Sequence, residues 1–158
     1  MDDNPLSQIY VNKASQISIL LLLEACDEDF IPKLSSCVNL NNYASKLHLK
    51  AFNYEYWIGQ KLIGLVSMYW DYNTNSSAFI SNVCVLSNYS GKGIASKLLK
   101  NCILDAKNNR IREIKLEVSK ENYAVIKLYK KHGFSFLREE EFNIIMELKI
   151  DKCLNGKN

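Results

Sequence analysis

Two glycines one residue apart, Gly91 and Gly93, sit in the stretch Asn88-Tyr89-Ser90-Gly91-Lys92-Gly93-Ile94-Ala95-Ser96-Lys97-Leu98-Leu99-Lys100. An apolar, β-branched run, Phe79 to Leu86, comes before it. An amphipathic segment with Ile94, Leu98, Leu99, Ile103 and Leu104 on one face comes after. Strand, glycine turn and helix start, in that order, build an anion site. Glycine lets backbone N–H groups turn inward with no Cβ in the way. The first helical turn adds unpaired donors and the positive end of its dipole, which suits a phosphate. A tight turn with a lysine-decorated solvent face is the plain alternative. A Walker loop is excluded, because Gly91-Lys92 runs into Gly93 instead of Ser or Thr. A dinucleotide fingerprint is excluded because its third glycine is missing.

Downstream, Glu113-Ile114-Lys115-Leu116-Glu117-Val118-Ser119 alternates as a strand does. Glu121 to Phe134 then reads as a short helix closed by Gly133 in the C′ position. Together the segments resemble the GNAT superfamily of acyl-coenzyme-A N-acyltransferases. That family's loop pattern, Arg/Gln-x-x-Gly-x-Gly/Ala, is met by Gly93 and Ala95. Its later pattern, Asn-x-x-Ala-x-x-Leu-Tyr-x-x-x-Gly-Phe, is met by Asn122, Ala124, Leu128, Tyr129, Gly133 and Phe134. The resemblance runs from Phe79 to Phe134, about half the chain. Ser90 departs from it, standing where the family usually has Arg or Gln.

The resemblance implies transfer of an acetyl group from acetyl-coenzyme A to a primary amine by direct attack, with no metal. The alternative is an acyl-coenzyme-A-binding module without turnover. The pyrophosphate is expected on the backbone of Ser90, Gly91, Lys92, Gly93, Ile94, Ala95 and Ser96. Pantetheine and the thioester oxygen are expected on a bulged stretch at Val83, Cys84 and Val85. Asn122 caps the last helix and also reaches the coenzyme arm. Tyr129 is the expected general acid, since a phenol has a proton to give a leaving thiolate. A core tyrosine beside Leu128 is the other reading. The Ala78–Leu86 strand lacks Glu, Asp and His, so the base is sought elsewhere. Glu117 is the candidate, because Leu116-Glu117-Val118 matches the Leu-Glu-Val of the family's ribosomal-protein alanine N-acetyltransferases. A water held by Ser81 or Asn82 remains the alternative. Acceptor contacts are expected from Tyr69 and from the Asp71-Tyr72 loop entry; Asp27, Glu28 and Asp29 either attract an ammonium group or are solvent-facing acid at a helix end.

The chain has 158 residues, 47% of them hydrophobic, enough for one domain, 1–158, that buries around two-thirds of its unfolded surface. A net charge of +3, with no like-charge run beyond three residues, argues against nucleic acid as a partner. Lys92, Lys97 and Lys100 would steer a polyanionic coenzyme. Five cysteines without a Cys-x-x-Cys, and only His48 and His132 beside them, give no metal cluster and point to free thiols. Met1-Asp2-Asp3-Asn4 is unlike a signal peptide, and the apolar block Ile17–Leu23 is too short to span a bilayer. A cytoplasmic enzyme off the membrane is expected, with a homodimer left open.

These residues need elements to position them. Strands are expected at Gln8–Val11, Tyr54–Ile58, Lys61–Trp70, Ala78–Leu86, Glu113–Ser119, Phe134–Glu140 and Phe142–Ile150. Helices are expected at Ser15–Cys26 and Asn41–Phe52, after the glycine turn, and at Glu121–Phe134, with a frayed tail from Asp151. The order β-α-α-β-β-β-α-β-α-β-β makes an α+β fold with a mixed, mostly antiparallel sheet. The resemblance adds that the two parallel strands splay into a V-shaped opening.

Overall fold

The computed structural model describes residues 5–70 and 77–150. The Asp71-Tyr72 loop entry, Cys153 and the tail from Asp151 lie outside the described residues. Strands run β1 (Ser7–Val11), β2 (Phe52–Ile58), β3 (Lys61–Trp70), β4 (Ser77–Val85), β5 (Glu113–Ser119), β6 (Ser135–Glu139) and β7 (Asn143–Lys149). Helices are α1 (Gln16–Cys26), α2 (Leu40–Lys50), α3 (Ile94–Asn108) and α4 (Tyr123–Lys131). One sheet holds all seven strands in the order β1-β2-β3-β4-β5-β7-β6. Only β4 and β5 pair in parallel. The α+β architecture and the element order are as expected from sequence.

Three of the four helices, α1, α2 and α4, start where short polar side chains cap them. Ser15 accepts the Ser18 N–H, Asn39 the Asn42 N–H and Asn122 the Val125 N–H. Two apolar layers sandwich the sheet. Helix α3 buries Ile94, Leu98, Leu99, Cys102 and Ala106 against Ile63, Val66, Ile114 and Leu116. Helices α1 and α2 bury Ile19, Leu23, Ala44 and Leu47 against Trp57, Leu65 and Cys84. Each fully buried Leu or Ile contributes about 1.5–3 kcal/mol. Leu104, expected on the buried face of α3, is 55% exposed. At 3.6 residues per turn it falls on the side nearly opposite the buried Cys102.

The second helix stops at Lys50 rather than Phe52. Ala51 is already extended, and Phe52 is drawn into β2, where its ring lies 4.1 Å from that of Trp70. The next residue holds the junction. Asn53 Nδ2 donates to Leu47 O, and Ser67 Oγ donates to Asn53 Oδ1. Among the described residues no helix is long and apolar enough to cross a membrane.

Candidate active site

The parallel ladder of β4 and β5 is short. It pairs Ser77–Ile80 with Glu113–Leu116 and goes no further. The reason lies one strand away. Ser67 of β3 faces Asn82, but Met68 faces Ile80, so Ser81 is an extra residue in β4. Such a bulge bends its strand and breaks the ladder. Tyr43 of α2 pins it, its hydroxyl 2.9 Å from Ser81 O and 2.6 Å from Ser81 Oγ. The bulge therefore sits at Ser81, two residues before the Val83-Cys84-Val85 stretch where it was expected. Those three residues form the arm beyond it. Val83 and Val85 pack toward α3, whereas Cys84 joins the α1–α2 layer.

A cavity of about 330 Å³ fills the gap. The β4 arm from Ile80 to Val85 makes one wall, and Glu117, Val118 and Ser119 of β5 face it. Asn122, Val125, Leu128 and Tyr129 of α4 close one side, and Ala95 of α3 touches it. Cys26, which ends α1, and Asp29, Phe30, Ile31 and Leu34, from the link between α1 and α2, complete it.

Ala95 belongs to the glycine turn. Gly91 and Gly93 have φ of 75° and 79°, and a Cβ on either would meet nothing within 4 Å. Backbone conformation, not crowding, selects glycine there. Gly93 is the N-cap of α3, and the first intrahelical bond runs from the Lys97 N–H to Gly93 O. The N–H groups of Ile94, Ala95 and Ser96 therefore have no intrahelical acceptor. The Ile94 side chain is core, so only its backbone faces the loop. Ser90 turns back on itself, donating from Oγ to Ser87 O at 2.8 Å. The Lys92 ammonium lies 5.6 Å from the Tyr89 ring centroid. Ser96 Oγ lies 2.7 Å from His132 Nε2, joining the start of α3 to the end of α4. Burial, then Lys131 and Lys100, hold the His132 imidazole below its usual pKa. Ser90, Gly91, Lys92, Gly93, Ile94 and Ser96 do not themselves line the cavity; they continue from its Ala95 end.

Gly64 positions this turn and carries no mark in the sequence pattern. A Cβ there would come within 2.9 Å of Ile94 Cγ2 and 3.3 Å of Val85 Cγ2. Its absence lets the first turn of α3 sit against β3 beside the β4 arm.

Helix α4 aims Tyr129. The Phe134 N–H reaches Tyr129 O and the Gly133 N–H reaches Lys130 O, with Gly133 at φ 95°. These are the paired bonds of a Schellman C-cap. Its hydrophobic contact is the Tyr129–Phe134 ring pair, centroids 5.8 Å apart. Tyr129 is thereby buried beside the cavity, and burial pushes its phenol pKa well up. The phenol stays protonated at neutral pH. Asn122 caps the helix and also lines the cavity. Glu117 projects from β5 as an exposed carboxylate, its Oε1 accepting from Asn143 Nδ2 at 2.6 Å.

The three acidic residues after α1 are not alike. Asp27 accepts from the Ser35 N–H and Ser35 Oγ, both at 2.7 Å, so it staples its own loop. Glu28 pairs with Lys33 at 2.9 Å. Asp29 accepts from Ser87 Oγ and borders the cavity. Tyr69 does not border it; Lys46 lies over its ring at 5.4 Å. Phe30, Ile31, Leu34 and Tyr43 escaped the sequence reading, and no local pattern marks them. The aromatics Tyr54, Tyr56 and Trp57 are core.

Residues 21–134 match the model of the Acetyltransferase (GNAT) family. The spermine/spermidine N(1)-acetyltransferase of Bacillus subtilis is 31% identical over 87 residues, 54% of this chain and 57% of that protein. An uncharacterised N-acetyltransferase of the same organism is 37% identical over 65 residues, 41% of this chain. The chain spans 57% and 26% of these two relatives' lengths. In fold, the chain is similar to the ribosomal-protein-S18-alanine N-acetyltransferase from Escherichia coli. The TM-score is 0.75 at 18% identity, covering 96% of this chain and 99% of that one. It is similar too to the PaiA N-acetyltransferase from Thermoplasma acidophilum, solved in complex with coenzyme A. There the TM-score is 0.72 at 20% identity, covering 90% and 99%. The splayed β4–β5 pair, the glycine-started α3 and the match over most of its length lead to one conclusion: this chain belongs to the GNAT acetyltransferase family.

Proposed function

We propose that the chain is an acetyl-coenzyme-A-dependent N-acetyltransferase acting on a primary amine. One observation carries the proposal. The cavity between the parted strands brings Val83, Cys84, Val85, Glu117, Asn122 and Tyr129 together and ends at Ala95 of the glycine turn. The turn's backbone donors would hold the pyrophosphate. The β4 arm would hold pantetheine along a main-chain edge that has no ladder partner on β5, with a backbone N–H facing the oxyanion. The amine would attack the thioester carbon, Glu117 taking its proton and Tyr129 protonating the departing thiolate. Asp29, across the opening, suits a cationic acceptor. The named activity of the B. subtilis relative puts polyamines first among candidates, ahead of peptide N-termini and amino sugars. Free thiols at Cys26, Cys37, Cys84 and Cys102 favour a reducing compartment such as the cytoplasm.

Thiol release from acetyl-coenzyme A against a panel of polyamines, peptides and amino sugars tests the proposal. Release with at least one amine is expected. Coenzyme binding with no release for any amine would leave a binding module, the alternative that the inward-turned Ser90 favours. Glu117→Gln should lower the rate with coenzyme binding little changed. A variant with the parent's rate would pass the base role to a water near Ser81 and Asn82.

A further inference from the structure

Two thiols stand at the cavity with no part in the chemistry above. Cys26 ends α1, and Cys84 lies on the β4 arm, 58 residues away in sequence. Both are buried, at 1% and 7% exposure, both belong to the α1–α2 layer, and both line the cavity. The two thiols are neighbours in that layer, and each shifts the other's proton affinity. Cys84 Sγ also accepts from Asn82 Nδ2 at 3.5 Å. The remaining described cysteines differ: Cys37 is exposed, and Cys102 faces Met68 Sδ at 3.3 Å in the opposite layer.

We propose that Cys26 and Cys84 are a peroxide-oxidisable dithiol, a covalent modification site that ties the acceptor-side loop to the thioester-side strand. The pair is asymmetric. Contact with Cys84 draws the Cys26 pKa down, against burial and the charge of Asp29. The same contact, with burial, pushes Cys84 well up. Both thiols line the cavity, through which peroxide reaches them, and we take Cys26 as the attacking thiolate and Cys84 as the resolving thiol. The Cys26 thiolate attacks one peroxide oxygen, an S–O bond forms, the O–O bond breaks, and hydroxide leaves to become water. Cys84 sulfur then attacks the Cys26 sulfenic acid. An S–S bond forms, the S–O bond breaks, and the departing hydroxide takes the Cys84 proton. In sum, two thiols and one hydrogen peroxide give one disulfide and two waters. The consequence follows from position. Cys26 precedes the segment carrying Asp29, Phe30, Ile31 and Leu34, so the bond would fix that wall to the β4 arm. The site of modification does not depend on the proposed acetyl transfer; only its effect on turnover does.

The test is direct. Fully reduced full-length protein is treated with hydrogen peroxide, quenched with N-ethylmaleimide in denaturant, digested without reductant and analysed by mass spectrometry. A Cys26–Cys84 cross-linked peptide is expected, two alkylatable thiols lost, with dithiothreitol restoring both. Cys84→Ala should leave Cys26 without its cross-link, and Cys102→Ala should leave the cross-link intact. Cysteines 26 and 84 that stay alkylatable, or that reach sulfinic acid without a cross-link, would overturn the proposal. The wild-type map decides even where a variant fails to fold. Because the readout is covalent, it holds or fails apart from acetyl transfer, whose own test is thiol release.

Discussion

The two sides of the cavity are built from different materials. The side that runs from the β4 arm through the glycine turn to α4 is mostly main chain: two glycines at positive φ, an uncapped helix start, a bulged strand and a Schellman turn. The side formed by the α1–α2 link rests on side chains far apart in sequence. Glu55 of β2, fully buried, accepts from the Lys13 and Ala14 N–H groups and from Trp57 Nε1, anchoring the lead into α1. Burial raises its carboxyl pKa and those hydrogen bonds pull it back. Tyr43 grips Ser81 across 38 residues. Backbone sites are copied by any chain that keeps the glycines and caps. A site built from side chains changes whenever one of them does.

The largest expected effect tests the first side at Tyr129, the side chain proposed as the acid. Tyr129→Phe keeps the ring on Phe134 and removes only the proton. Turnover should fall by roughly 10²–10⁴-fold with coenzyme affinity nearly unchanged. Full turnover, with chemistry shown to be rate-limiting, would make Tyr129 a core residue. Next comes the second side. Glu55→Ala strands two buried donors, the Ala14 N–H and Trp57 Nε1–H, and the part-buried Lys13 N–H, and should cost about 3 kcal/mol in chemical denaturation. A loss under about 1 kcal/mol, the typical net worth of one hydrogen bond, would show that Glu55 does not anchor the segment.

Gly64→Ala sharpens the contrast from below the turn. The added methyl must displace Ile94 or Val85, so stability should drop by about 1–3 kcal/mol and coenzyme binding should weaken with it. Unchanged melting and binding would mean that α3 has slack there. Ser90→Ala is the smallest change. Its hydroxyl serves only the Ser87 turn, so calorimetry should find coenzyme binding shifted by no more than about 0.5 kcal/mol. A larger loss would give Ser90 a direct contact.

This difference also explains what could be read in advance. The fold order was legible because caps, glycines and alternation are local. Ser15, Asn122, Gly93 and Gly133 act within a few residues of themselves. That Asn122 and Tyr129 sit on one helix, both beside the cavity, is legible for the same reason: a local spaced pattern carries them. The bulge was placed at Val83 to Val85 because nothing local marks Ser81; it is fixed by Tyr43 from another element. Phe30, Ile31 and Leu34 carry no local signal because they line the cavity only through the way the link between α1 and α2 folds. Gly64 looked like an ordinary strand residue, since its reason is the approach of a helix thirty residues later.

The claim that main chain holds the coenzyme is tested most directly by calorimetric titration of acetyl-coenzyme A into the wild type and Gly93→Val. A Cβ at 93 meets no protein atom, but a branched residue cannot easily keep φ at 79° or let a phosphate approach. Wild-type binding, and severe weakening in a variant still folded by circular dichroism, is the expected result. Equal affinity in the two folded proteins would contradict it.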